Sequence, residues 1–253
     1  MEPRNERRLV LAVRIHEFDA RTVRMQDQMR QGMAEVLDRA AAHSGLDRAS
    51  WSLVPGDGGE LAILPPAEPE VRVADSFVRR LAAGLIEYDR LVATEARLRL
   101  RLAIHFGPAN VEKHGFSGRA PRVARRLCDS VAAGRVLAET AAHLVVVVSA
   151  QIFEDTIAEQ LTSLEADHLR KVDVRGESAW VWAPDHRLDG IDLERDEPGE
   201  RADPSGREER SGRRHPDGAG PVPGAFHGAH VEIHGNGYLA ARDMEIHYDG
   251  GSE

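Results

Sequence analysis

Residues 98–127, LRLRLAIHFGPANVEKHGFSGRAPRVARRL, constrain this chain more than any other stretch. Leu98, Leu100, Leu102 and Ile104 face one way and Arg99 and Arg101 the other, the alternation of a half-buried strand. Gly107-Pro108 breaks that strand, and a loop containing Gly and Ser follows. The chain then re-enters as a helix carrying Arg122, Arg125 and Arg126. A strand that feeds a loop and then an arginine-bearing helix suits the grip of a phosphate.

The rest of the chain gives that stretch a frame. Leu9 to Ile15 is a nearly all-apolar run interrupted by Arg14, the pattern of a central strand. Met25, Met29, Met33 and Leu37 lie four apart and predict a helix from Thr22 to Ser44, with Gly45 as its C-cap. Trp51 to Val54 and Glu60 to Leu64 flank Pro55-Gly56-Asp57-Gly58-Gly59 and predict a hairpin. Val71 to Leu91 is a second amphipathic helix. Leu144 to Val148 is a strand, followed by a helix from Ala150 to Leu161 capped by Ser149. Leu169 to Val174 and Ala179 to Trp182 make a last hairpin through Gly176. The predicted class is α+β: a mostly antiparallel sheet with helices over one face, containing the β-α-β-β-α-β unit of ferredoxin-like folds.

Composition separates three segments. Residues 1–184 form the folded domain. Residues 185–228 are rich in Arg, Asp, Glu, Gly and Pro, too poor in large apolar side chains to offset the entropy of ordering, and are expected to be a disordered linker. Residues 229–253 are β-prone. Val231-Glu232-Ile233-His234 and Met244-Glu245-Ile246-His247 are near-copies on either side of a turn at Gly235-Asn236-Gly237, which suits a β-arch or hairpin. Self-stacking would satisfy its open edges, and docking on its own domain would do the same. The net charge of -9 argues against non-specific nucleic-acid binding. Cys128 is the only cysteine, which excludes a disulfide framework and a cysteine metal cluster. The N-terminus lacks the apolar core of a signal peptide and no run approaches membrane-spanning length, so a cytoplasmic protein is expected.

The ordered motifs resemble class III nucleotidyl cyclases, the adenylate and guanylate cyclase catalytic domains. Ile104-His105-Phe106-Gly107-Pro108 matches a strand ending in I-H-x-G-P, and Gly56-Asp57-Gly58 matches the family's G-D-G turn. Arg122 to Leu127 falls on a helix beginning N-x-A-x-R-L, Val148-Ser149 on a strand-to-helix junction, and Arg175-Gly176 on a late basic-Gly turn. The resemblance covers roughly residues 8–184. It implies dimers with the sites at the interface, two metal-binding carboxylates, and Mg²⁺ or Mn²⁺ as cofactor in an active member. Asp57 fills the second metal place. The first place, a few residues before the family's G-F, falls on Arg14, with Phe18 as the aromatic; a cation there repels metals at close range. Arg126 fills the place of the transition-state arginine, whereas the asparagine place holds Arg122. The base-reading places hold Leu53 and Gly115.

These matches imply a catalytically degenerate, dimeric cyclase-like module that binds a nucleotide or another anion through Arg14, Arg122 and Arg126. The alternative is a divergent cyclase using Asp57 and Arg126, alone or with a cyclase-like partner chain supplying the missing groups. The tail loosely resembles bacterial amyloid-type signalling motifs. That likeness implies self-assembly through Val231, Ile233, Asn236, Met244 and Ile246 and a sensor or effector protein as partner.

Overall fold

The structure, a computed structural model, describes residues 6–112 and 115–194. The linker beyond residue 194 and the tail residues Val231, Ile233, Asn236, Met244 and Ile246 lie outside the described residues. The strands are β1 (Arg7–Ile15), β2 (Ser52–Gly56), β3 (Gly59–Ile63), β4 (Leu100–Pro108), β5 (Asn110–Glu112), β6 (Gly115–Ser117), β7 (Leu144–Ser149), β8 (Arg170–Val174) and β9 (Glu177–Trp182). The helices are α1 (Val23–His43), α2 (Glu70–Arg72), α3 (Val78–Asp89), α4 (Arg119–Cys128), α5 (Val131–Glu139) and α6 (Ala150–Ile152). A π turn, Val73–Phe77, joins α2 to α3, and a second, Phe153–Ala158, prolongs α6.

Seven strands form one sheet in the order β2-β3-β1-β4-β7-β9-β8, and β5 and β6 form a separate hairpin. Within it, β4-β1-β3-β2 is the ferredoxin-like core, antiparallel throughout, and the pairing of β4 with β7 is the one parallel contact of the large sheet. Joining β4 to a parallel β7 needs a long crossover, which α4 and α5 supply. No helix among the described residues is long and apolar enough to cross a membrane.

Helices cover both faces of the sheet, not one. Leu9, Leu11, Val13, Leu100, Leu102, Val146 and Val148 pack with the side chains of α1 and α3. The opposite parity, Val10, Ala12, Ala103, Val145 and Val147, packs with Val123, Leu127, Val136 and Leu137 of α4 and α5. The central strands are apolar at both parities, so both faces had to be withdrawn from water. The arginines of the alternating strand are therefore not on a wet face. Arg99 donates to the carbonyls of Leu137, Thr140 and Ala142 at the C-terminal end of α5. Arg101 runs under α5, where a side chain at Gly134 would sit 3.2 Å from its guanidinium.

Three other expectations need correction. The helix after the opening loop is two helices, broken at Asp129-Ser130; the Ser130 hydroxyl accepts from the Ala133 N–H and starts α5 afresh. Ser149 stands at the N-cap of α6 but makes no capping bond; its hydroxyl is buried without a partner. The packed chain also continues past Pro184 to residue 194. Leu188, Ile191 and Leu193 are buried in the second core, and the Asp185 carboxylate accepts from the His143 backbone N–H at 3.0 Å and meets its Nδ1 at 2.7 Å. Three apolar residues spaced among charges escape a compositional reading because their burial is set by tertiary contact. The end of α1 follows expectation: Gly45, at φ 69°, lets the Leu46 N–H reach the Ala41 carbonyl and its own N–H reach that of Ala42.

Candidate functional site

Arg14 lies near the end of β1, paired in register with Gly59 of β3 and Arg101 of β4. Gly59 permits that approach: a Cβ there would meet the Val13 carbonyl oxygen at 2.1 Å. After β1 the chain turns through Glu17, whose φ of 54° is in the left-handed region that glycine favours. On the sequence resemblance, the residue that falls on the first metal place is Arg14. Its guanidinium is paired with Asp129 at 3.2 Å and Asp19 at 3.5 Å. These acids, with Glu17 and Arg101, line a shallow depression.

Asp57 sits at the tip of the tight turn between β2 and β3. The buried ring of Phe18 supports that turn, since a Cβ on Gly58 would fall 2.5 Å from it. Arg30 of α1 lies over the same ring at 4.7 Å and reaches Asp57 at 3.6 Å. Both expected metal positions are thus tied to protein charges of opposite sign: the first is a cation held by two carboxylates, and the second is a carboxylate beside an arginine.

Helix α4 carries the rest. Gly118 precedes it at φ 105°, so close to Pro108 that a Cβ would meet its carbonyl oxygen at 2.5 Å. Ala120, Val123, Ala124 and Leu127 form the buried stripe, spaced i, i+3, i+4, i+7. Arg119, Arg122 and Arg126 keep the same spacing on another face and line a cleft of about 820 Å³ together with Asp129, Ser130, Asp173 and Arg175. The structure brings Arg122 and Arg126 into that cleft and places Arg14 next to it, with Asp129 lining both the cleft and the Arg14 depression. Asp57 lines neither. Arg119 and Arg126 both meet Oε1 of Glu177, the latter at 3.6 Å. Arg122 has no ion pair among the described residues.

Sequence reasoning missed Asp129, Arg119 and Glu177. Arg119 was readable, being three residues before Arg122 and seven before Arg126. Asp129 and Glu177 carried no local signal, because each earns its place by meeting an arginine distant in the chain. Burial, then the Asp129 charge, pushes the Cys128 thiol up to about 12, and its sulfur lies 3.5 Å from the Arg101 carbonyl oxygen as a weak donor. Burial pushes the His105 imidazole down to about 4. Burial and then Arg101, 3.3 Å from its Nδ1, lower His16. Among the described residues no group of three or more His, Cys, Asp or Glu side chains is arranged to hold a metal ion.

No protein-family model and no curated protein matches the sequence. Among solved structures, the guanylyl cyclase Cya2 superposes with a TM-score of 0.52 at 12% identity, over 73% of this chain and 96% of that one. An adenylate/guanylate cyclase/hydrolase from Silicibacter pomeroyi gives 0.48 at 20% identity, over 72% of this chain and 99% of the other. The guanylate cyclase domain of RhGC from Catenaria anguillulae gives 0.45 at 14%, over 71% and 97%. The match to Cya2 shows the fold: this chain has the architecture of a class III nucleotidyl cyclase catalytic domain.

Proposed function

We propose that this cyclase-fold chain is a binding module that holds a nucleotide or a related phosphate-bearing anion and does not cyclise it. One observation supports this above the others: the first metal place holds Arg14, and its guanidinium is already neutralised by Asp19 and Asp129. Paired divalent metals would activate a ribose hydroxyl and screen a triphosphate, and they need facing carboxylates. The residues present do not fit them. A cation occupies one position, and Arg30 engages the carboxylate at the other. What this chain offers a phosphate instead is guanidinium groups: Arg119, Arg122 and Arg126 on one helix face, with Arg175 across the cleft. Arg126, in the transition-state place, then serves binding alone.

The test is direct. Purified protein is incubated with each nucleoside triphosphate and Mn²⁺ and the products are separated by chromatography, alongside calorimetric titration of the same nucleotides. Binding without turnover, lost in Arg122→Glu, is the expected result. A cyclic product that disappears in Asp57→Ala would overturn the reading in favour of a divergent cyclase using Mg²⁺ or Mn²⁺. The module is proposed to work as a dimer, with itself or with a cyclase-like partner chain, because α4 presents its arginines on an open face; sedimentation velocity reports the state. On its sequence pattern, the segment from Val231 to Glu253 is proposed to signal by self-assembly with a sensor or effector protein. Thioflavin-positive fibres from that peptide are the expected outcome.

A further inference from the structure

We infer that Glu177 is an internal stand-in for a ligand phosphate, its carboxylate occupying the Arg119–Arg126 clamp until a metal-free oligophosphate displaces it. This rests on the binding reading above and adds how the ligand is admitted and in what form.

The clamp is built from two elements. Arg119 and Arg126 lie seven residues apart on α4, so they share a face at a spacing of two turns. Glu177 is the first residue of β9, and its register partner is Val174. The turn between β8 and β9 is tight: Arg175 and Gly176 both have positive φ, 54° and 80°, and the Gly176 N–H donates to Asp173 Oδ1 at 2.8 Å. The hairpin therefore fixes the backbone from which the carboxylate reaches α4. One oxygen, Oε1, serves both guanidiniums. That leaves the clamp under-neutralised: one negative charge faces two positive ones, Nε of Arg126 is buried without an acceptor, and Arg122 adds a third cation in the same cleft. Asp129 and Asp173 line the cleft too, and Asp129 is committed to Arg14.

A phosphate group out-competes a carboxylate here. It carries more charge and three acceptor oxygens, enough to engage both guanidiniums through their terminal nitrogens at once. The contacts to be broken are weak. Arg119 is 67% exposed and Glu177 28%, so the pairs are screened and the freed carboxylate can be solvated. The exchange makes and breaks no covalent bond. Magnesium caps the oxygens that the guanidiniums would take, so the ligand enters best without it.

The probe is inorganic triphosphate, titrated calorimetrically at low salt into full-length protein, with EDTA or with excess Mg²⁺. Glu177→Gln keeps the shape and removes the charge. It is expected to bind about five- to tenfold tighter than wild type, the scale of one charge-assisted pair released. Arg126→Gln should abolish that gain in the double variant, and Mg²⁺ should weaken binding in both backgrounds. Glu177→Ser repeats the test should Glu177→Gln fold poorly, with circular dichroism checking each variant. A Glu177→Gln protein that is folded and binds no tighter than wild type overturns this proposal and leaves the binding reading standing. Binding strengthened by Mg²⁺ overturns it also. Absence of binding by wild type and both Glu177 variants removes the binding reading itself.

Discussion

Replacing Arg14 with aspartate tests whether the arginine is what keeps metal out of the first metal place. In the wild type its guanidinium holds Asp129 at 3.2 Å and Asp19 at 3.5 Å, and the side chain is 41% exposed. Exposed pairs of this kind are each worth about 0.2–1 kcal/mol. Arg14→Asp removes both attractions and sets a third carboxylate beside Asp19 and Asp129, in a depression that Glu17 also lines, adding repulsions of similar size. The expected cost in EDTA is about 1–3 kcal/mol, read in urea or as a fall in Tm of about 2–4 °C per kcal/mol for a domain of this size. Three carboxylates are also a ligand set for a hard divalent cation. With 1 mM Mn²⁺ and a Kd near 0.1 mM, binding to the folded state restores about 1.4 kcal/mol. The variant should therefore gain stability with Mn²⁺ while wild type does not, and Arg14→Ser should lose the pairs without acquiring the metal response. An equal Mn²⁺ shift in wild type and Arg14→Asp would refute the reasoning, because Arg14 would then not be what excludes the ion.

Three further outcomes follow from the packing. Arg48 is 8% exposed and pairs with Glu60 at 2.9 Å and Asp38 at 2.7 Å; Arg48→Met strands the mostly buried Glu60 carboxylate and should cost about 3–5 kcal/mol at neutral pH in urea unfolding. Burial raises Glu60 despite its arginine, so the loss should shrink as pH falls and Glu60 takes up a proton. Gly59→Ala drives a Cβ to within 2.1 Å of the Val13 carbonyl oxygen, a collision of backbones that no side chain can relieve; it should cost more than about 3 kcal/mol and weaken amide protection along β1 and β3 in hydrogen exchange. Burial holds His105 neutral, its value falling from 6.5 to about 4. The unfolded chain therefore takes up that proton first. The stability is present above about pH 6.5, is lost as pH falls toward 4, and amounts to about 3 kcal/mol in all. His105→Gln should flatten the acid limb of a pH–stability curve by that amount.

Much of the fold could be read from periodicity. The run of apolar residues in β1 and β7, the methionine ladder of α1 and the two glycine turns each point to one local structure, and their order gives the ferredoxin-like core. What could not be read was tertiary. Arg99 and Arg101 look like a wet face, because nothing local shows that one caps the end of α5 and the other passes beneath Gly134. The break at Asp129-Ser130 was available in principle, since Ser130 before Val131-Ala132-Ala133 is an N-cap pattern. The site divided in the same way. The α4 arginines declare themselves by spacing. Asp129 and Glu177 do not, because a carboxylate that answers a distant arginine has no period.

Those two carboxylates change the electrostatic character of the site. A site built for metals keeps carboxylates close together and unneutralised until the ion arrives, at a standing cost in stability. Here nearly every charge in a family place already has an answer within the chain: Arg14 has Asp19 and Asp129, Asp57 has Arg30, and Arg126 has Glu177. Such a site is stable when empty, and a ligand must exchange one ion pair for another. Exchange of exposed ion pairs gives modest affinity with a steep dependence on salt, and a metal already held by the ligand lowers it further. Arg122 is the exception, a cleft-lining cation without an ion pair among the described residues, at a position where the sequence resemblance implies an asparagine. The substitution trades a neutral hydrogen-bonding group for a positive charge, which favours phosphate over sugar. Selection of the ligand by its phosphates, with weak discrimination between bases, is the consequence, and titration of the four nucleoside triphosphates against inorganic triphosphate measures it: affinities within about tenfold of one another support it, and a single base preferred by more than a hundredfold refutes it.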